Sequence, residues 1–239
     1  MTLNYLISVL LVLNFAQINS DKMVLVKNDE LGNDFLIDTH EVTMAEFEKF
    51  VLATGYKTTC EKRGTGPKPT AEAETVLFPG LNWRHNQDGN LIDKKWYAKL
   101  PVTRVTISDV RAYAKWVGKR LPTVKEWKVA AAGGMWPPVY KYSGSNKANS
   151  VGWYDINSKL EIQSIGTLAP NQLGIYDMSG NVEEFALLEK NGAVYNRIGG
   201  RFFSDKDMME IKANYSNDLT NTEYSSTFLG FRLVKDVAK

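Results

Sequence analysis

The chain has 239 residues, 44% hydrophobic and 23% charged, so it can bury a core and is neither disordered nor fibrous. Twenty-nine Lys and Arg against 27 Asp and Glu leave a net charge of +2, without the basic block that a nucleic-acid partner requires. A single cysteine, Cys60, excludes an internal disulfide and a thiolate pair, and two histidines, His40 and His85, exclude a His-Glu-x-x-His zinc helix or a three-histidine metal site.

Residues 1–20 predict a signal peptide. Leu6–Val12 is an unbroken apolar run continued to Ala16, too short for the roughly 20 residues that span a bilayer. Ser20 is a small residue of the kind a signal peptidase accepts, and charge begins at Asp21. The expected mature domain is 21–239, exported to the periplasm or the medium, with an uncleaved anchor or a plain buried segment as alternatives. The only membrane contact expected is through this segment.

Three helices are predicted after it. Thr43-Met44-Ala45-Glu46, Thr106-Ile107-Ser108-Asp109 and Thr123-Val124-Lys125-Glu126 each set a hydroxyl three residues before an acid, which satisfies the free amides of a first helical turn. Their apolar runs carry Phe47, Phe50 and Val51, then Val110, Tyr113, Ala114 and Val117, then Trp127, Ala130 and Ala131, and stop at Gly55, Gly118 and Gly133. Strands are expected at Met23–Val26, Asp34–Ile37, Ser164–Thr167, Val194–Gly199 and Phe231–Val234. Between them Tyr56–Leu100 and Met135–Gln163 read as long ordered coil, pinned by aromatic side chains whose polar tips can satisfy loop backbone.

Several short motifs follow one another along the chain: Ile37-Asp38-Thr39-His40-Glu41-Val42-Thr43, Pro101-Val102-Thr103-Arg104-Val105, Gly118-Lys119-Arg120-Leu121-Pro122-Thr123, Glu126-Trp127, Gly174–Val182, Gly199-Gly200 and Gly230-Phe231-Arg232-Leu233. In this order they resemble the sulfatase-modifying-factor, or formylglycine-generating-enzyme-like, domain. The resemblance covers nearly all of the mature chain. It implies a single α+β domain of C-type-lectin-like fold, with few short helices and strands and much ordered coil.

What the resemblance implies for chemistry depends on individual positions. The aerobic enzymes of this family oxidise a sulfatase cysteine with copper held by two thiolates that follow the Gly-Gly motif. Those positions align here with Ser204 and Met209. Copper(I) selects soft thiolates; serine is a poor ligand and a thioether cannot carry thiolate chemistry. Copper is therefore not expected, and no catalytic residue is assigned. The His-x-x-x-His-x-Glu cluster of iron-dependent relatives cannot be built from His40 and His85. Two further departures stand nearby: Glu183 replaces the first tryptophan of a family Trp-Glu-Trp, and Arg201-Phe202 replaces Ser-Trp after the glycine pair.

Calcium is the one expected cofactor, in a structural role. It takes six to eight oxygens, and the turn Asp177–Glu184 offers carboxylates, an Asn carbonyl and backbone carbonyls. The resemblance implies Asn181, Val182 and Glu184 as ligands, and a second site at Asn149 and Ser150 with Asp155 or Asn157. The alternative makes Asn181 a turn residue bonded to its own backbone and leaves the acids solvated. Cys60 and His85 have no partner at a telling spacing and read as residues without a chemical role.

Two functions from different classes remain. One is an exported, non-catalytic binding or structural module that holds a protein, peptide or glycan through the surface between Arg201 and Phe228. There Asn214–Asn221 is dense in Asn, Tyr, Ser and Thr, an adaptable binding mixture. The other is an oxidoreductase that makes formylglycine from a sulfatase cysteine.

Overall fold

Four helices start on one device, a threonine whose hydroxyl accepts from the amide three residues on while the acid at that position accepts from the threonine's own amide. Thr43 and Glu46 cap α1 (Met44–Thr54), Thr58 and Glu61 cap α2 (Thr59–Arg63), Thr106 and Asp109 cap α3 (Ile107–Trp116), and Thr123 and Glu126 cap α4 (Val124–Ala131). Gly55 and Gly64 end the first two in the left-handed region, where glycine has no Cβ penalty. A fifth short helix is α5 (Ala148–Val151). The computed structural model describes residues 23–27, 32–70, 75–213 and 219–237. The expected leader Met1–Ser20, the start at Asp21 and Asn214–Asp218 lie outside these residues.

Three small sheets complete the α+β domain. Strands β1 (Met23–Val26) and β8 (Val234–Asp236) flank β2 (Phe35–Asp38), all antiparallel. A hairpin joins β3 (Thr65–Lys68) to β4 (Val76–Pro79). In the third sheet β5 (Glu183–Leu187) lies between antiparallel β6 (Tyr195–Ile198) and the parallel two-residue β7 (Leu229–Gly230).

Every residue of β5 is buried, and the strand divides two cores. Phe185 and Leu187 face one with Phe47, Tyr113 and Phe231; Ala186 faces the other with Trp127, Ile198 and Ile37. Because successive side chains of a strand point to opposite faces, Glu183 belongs to the first side and Glu184 to the second.

Two expected strands are corrected. Ser164–Thr167 is a turn, held where the Gly166 amide donates to the Asp177 carboxylate at 2.7 Å. Phe231–Leu233 is irregular because its backbone is used elsewhere: Phe231 O accepts from Val42 N and Leu233 O from Asp38 N. Helices α2 and α5 and strands β3, β4, β5 and β7 are additions to the sequence reading. Among the described residues no helix is long and apolar enough to cross a membrane.

Candidate functional site

The turn before β5 is built on three left-handed residues, Asp177, Gly180 and Asn181, at φ of 56°, 88° and 61°. A Cβ at Gly180 would lie 2.1 Å from the Trp153 carbonyl oxygen and 2.7 Å from the Met209 sulfur, so only glycine fits. Asn181 is fully buried and its amide is spent within the chain. Nδ2 donates to Glu41 Oε1 at 3.0 Å, and Oδ1 accepts from the Gln163 amide at 3.0 Å.

Glu184 is equally committed. Its Oε2 accepts from Trp127 Nε1 at 2.9 Å and Arg232 Nε at 2.8 Å, and its Oε1 accepts from Arg232 Nη2 at 2.8 Å. Arg232 is fully buried and also donates to the carbonyls of Asp38 and Tyr176. Glu41 Oε2 lies 3.9 Å from Arg232 Nη2 without a hydrogen bond. One guanidinium thus serves three buried carboxylates, Glu41, Asp177 and Glu184. Burial, then the neighbouring Asp177, push the Glu41 carboxyl well above its usual range, and burial pushes Asp177 up to about 6.

This arrangement does not fit the expected calcium at Asn181, Val182 and Glu184. Arg232 already holds both Glu184 oxygens, and Trp127 takes a further bond from one of them. A calcium ion at Glu184 would have to displace a buried arginine from its hydrogen-bonded partner and leave it only the longer contact to Glu41, which costs several kcal/mol by the general rule for burying ions. At the second expected site the Asn149 oxygen accepts from the Tyr154 hydroxyl. Asn157 is used locally, its Oδ1 accepting from Tyr154 N and its Nδ2 donating to Gly152 O, while Asp155 keeps a buried Oδ1 without a hydrogen bond. Ser150 remains exposed.

The two positions aligned with the family thiols are closed. Ser204 Oγ accepts from the Arg201 amide at 3.2 Å. Met209 is buried against Tyr142, Ala148, Val151 and Tyr154, and its Cγ would stand 2.8 Å from a Cβ at Gly200. The two neighbouring departures meet each other: Arg201 Nη1 lies 3.7 Å from Glu183 Oε1, and Arg197 Nη1 3.5 Å from Glu183 Oε2. The Arg201 guanidinium lies against the Phe203 and Phe228 rings, 4.2 and 4.1 Å from their centroids, while Arg197 donates to the Tyr224 hydroxyl at 2.8 Å. The arginine whose backbone amide bonds Ser204 thus sends its charge to these rings and to Glu183.

Cys60 is buried, 3.4 Å from the Arg104 carbonyl that its thiol donates to, and burial pushes the thiol up, away from the thiolate form. His85 lines a cavity of about 520 Å³ with Trp83, Trp96 and Glu161; burial lowers its basicity. Asn149 and Ser150 line a second cavity, of about 660 Å³. The sequence reading missed Glu41, Arg197 and Arg232 as members of ion clusters, although Glu41 and Arg232 both stand in quoted motifs.

Comparison with known proteins places this geometry. The formylglycine-generating enzyme of Mycobacterium tuberculosis is 30% identical, over 65% of this chain and 64% of its own length; that of Mus musculus is 33% identical, over 63% and 48%. The chain thus spans about half to two thirds of those enzymes. The inactive C-alpha-formylglycine-generating enzyme 2 of Bos taurus is 30% identical over 83% of this chain and 76% of its own. The crystal structure of CarF shares the fold, with a TM-score of 0.59 and 21% identity over 86% of this chain and 87% of that one. The model of the sulfatase-modifying factor enzyme 1-like domain matches residues 14–237, and the chain belongs to that family.

Proposed function

We propose that this protein is an exported, non-catalytic member of the family, a binding or structural module for a protein, peptide or glycan. The observation that carries the reading is the state of the two thiol positions. Ser204 is bonded to the Arg201 backbone, Met209 is packed in a core, and the Arg201 guanidinium lies against the Phe203 and Phe228 rings. The donors offered there, a hydroxyl and a thioether, do not fit copper(I), which takes thiolates. Export rests on the apolar segment Leu6–Ala16 and the small residue Ser20.

The direct test is turnover. Purified protein supplied with copper and a Cys-x-Pro-x-Arg peptide is expected to give no aldehyde and no thiol-dependent oxygen uptake. Aldehyde formation at a rate unchanged by Cys60→Ser would replace this reading with a formylglycine-generating oxidoreductase that works without a thiol of its own. Export is tested separately, by N-terminal sequencing of the secreted protein, with Asp21 expected first and a retained Met1 excluding cleavage.

A further inference from the structure

The cavity of about 660 Å³ at Asn149 and Ser150 lies between the 141–150 segment, Tyr154 and the turn Lys206–Met209. Its chemistry is set by which polar atoms are already used. Asn146 Oδ1 accepts from the Lys141 backbone amide at 2.9 Å, and an amide N–H can only donate, so the Asn146 side chain is oriented with its oxygen inward and its NH2 left over. Asn149 repeats the pattern, its oxygen taken by the Tyr154 hydroxyl. Each carboxamide oxygen is engaged by the protein, and among the described residues neither NH2 donates to it.

Charge points the same way. Three lysines line the cavity, Lys141, Lys147 and Lys206, against one carboxylate, Asp207. Lys141 is paired with Glu210 at 3.2 Å, but among the described residues neither Lys147 nor Lys206 has a carboxylate within ion-pair distance. The back wall is firm, since Tyr142 and Tyr154 are buried, at 3% and 6% exposure. Calcium needs six or more oxygens and meets here mainly N–H and ammonium groups. An oxyanion needs the opposite, several charge-assisted donors converging from different segments.

We propose that this cavity is an anion site, for a small organic molecule that carries a phosphate, sulfate or carboxylate group, with Lys147 and Lys206 as the charge contacts and the Asn146 and Asn149 amides as neutral donors. The volume exceeds that of a bare ion and falls within the range of small-molecule pockets, roughly 300–1,000 Å³. The inference stands apart from the catalytic question, because it uses neither Ser204 nor Met209.

The test uses the purified full chain and three probes, sodium phosphate, sodium sulfate and sodium acetate, titrated by calorimetry at constant ionic strength, with calcium chloride as a fourth. Saturable binding of at least one oxyanion is expected, and the three arms identify the preferred group. Lys147→Gln with Lys206→Gln should weaken that binding about tenfold or more, since two charge-assisted bonds are lost. Lys147→Arg with Lys206→Arg should retain it. Both lysines are exposed, so the variants should melt like the parent without anion; if the Gln pair does not, the Arg pair and the probe ranking still decide. No saturable oxyanion binding, equal binding by parent and Gln variant, or saturable calcium binding blocked by none of the oxyanions would overturn the proposal.

Discussion

Glu183 and Glu184 are neighbours on one strand and live in different worlds. Glu184 points to the core of Trp127 and Ile198, where a fully buried arginine and an indole take all it can offer. Glu183 points to the other side, toward Arg197 and Arg201, at 3.5 and 3.7 Å, with side chains 16% and 15% exposed. The first is a closed salt bridge with direct hydrogen bonds; the second, although Glu183 is itself buried at 5% exposure, is a looser cluster of longer contacts shared between two half-buried arginines. Energy follows closure. Removing Arg232 strands Glu184, whereas removing one arginine of the second cluster leaves Glu183 the other.

The sharpest way to break the contrast is Arg232→Met. It strands Glu184 beside Glu41 and Asp177, and a loss of about 3–5 kcal/mol is expected in urea unfolding, near the total stability of many domains. Arg232→Met with Glu184→Met should recover part of the loss; no recovery would mean that packing, not charge, is decisive there.

Next comes pH. Glu41 and Asp177 have carboxyls raised above the unfolded range of about 4, Asp177 to about 6. Across that window the native state holds more protons than the unfolded chain, so the cluster's contribution to stability falls as pH rises. Glu41→Gln, which keeps the acceptor for Asn181, should flatten that decline. A parallel profile for the variant would show that Glu41 is ionised throughout.

On the Glu183 side a smaller effect is expected. Arg201→Ser removes the guanidinium from the faces of Phe203 and Phe228 and should cost about 1–2 kcal/mol. A loss equal to that of Arg232→Met would erase the distinction between the two faces of β5. Smallest of all is the response to calcium. With Glu184 already held by Arg232, the melting temperature should be the same in chelator and in millimolar calcium. A rise abolished by Glu184→Gln would restore the expected ligand set.

The helices were legible because their starts are local. A threonine and an acid three residues apart solve a problem that arises within one turn, so Thr43, Thr106 and Thr123 could be read directly. Thr58 and Glu61 carry the same sign, but α2 is five residues long and lacks an apolar run to confirm it. Strand β5 was illegible for the opposite reason. It opens with two glutamates, and what permits their burial stands far along the chain, at Arg197, Arg201 and Arg232. The same distance hid the site: the turn at Asn181 looked oxygen-rich, yet its oxygens are spoken for by Gln163, Trp127 and Arg232, whose nearness only the fold supplies. Ser204 and Met209 were legible by order of motif alone, and their closure was not.

The short strand Leu229–Gly230 runs parallel to β5, and the segment after it brings Arg232 to Glu184 and β8 to β2. The first described strands and the last ones are therefore stitched into one unit. A nascent chain released up to Phe228 would contain Glu41, Asp177 and Glu184 with no guanidinium to meet them and β2 with one edge open. Folding must wait for nearly the whole chain, and trimming the C-terminal end past Arg232 should abolish the native state outright instead of fraying it. Such dependence on contacts distant in sequence also predicts slow folding for a chain of this size.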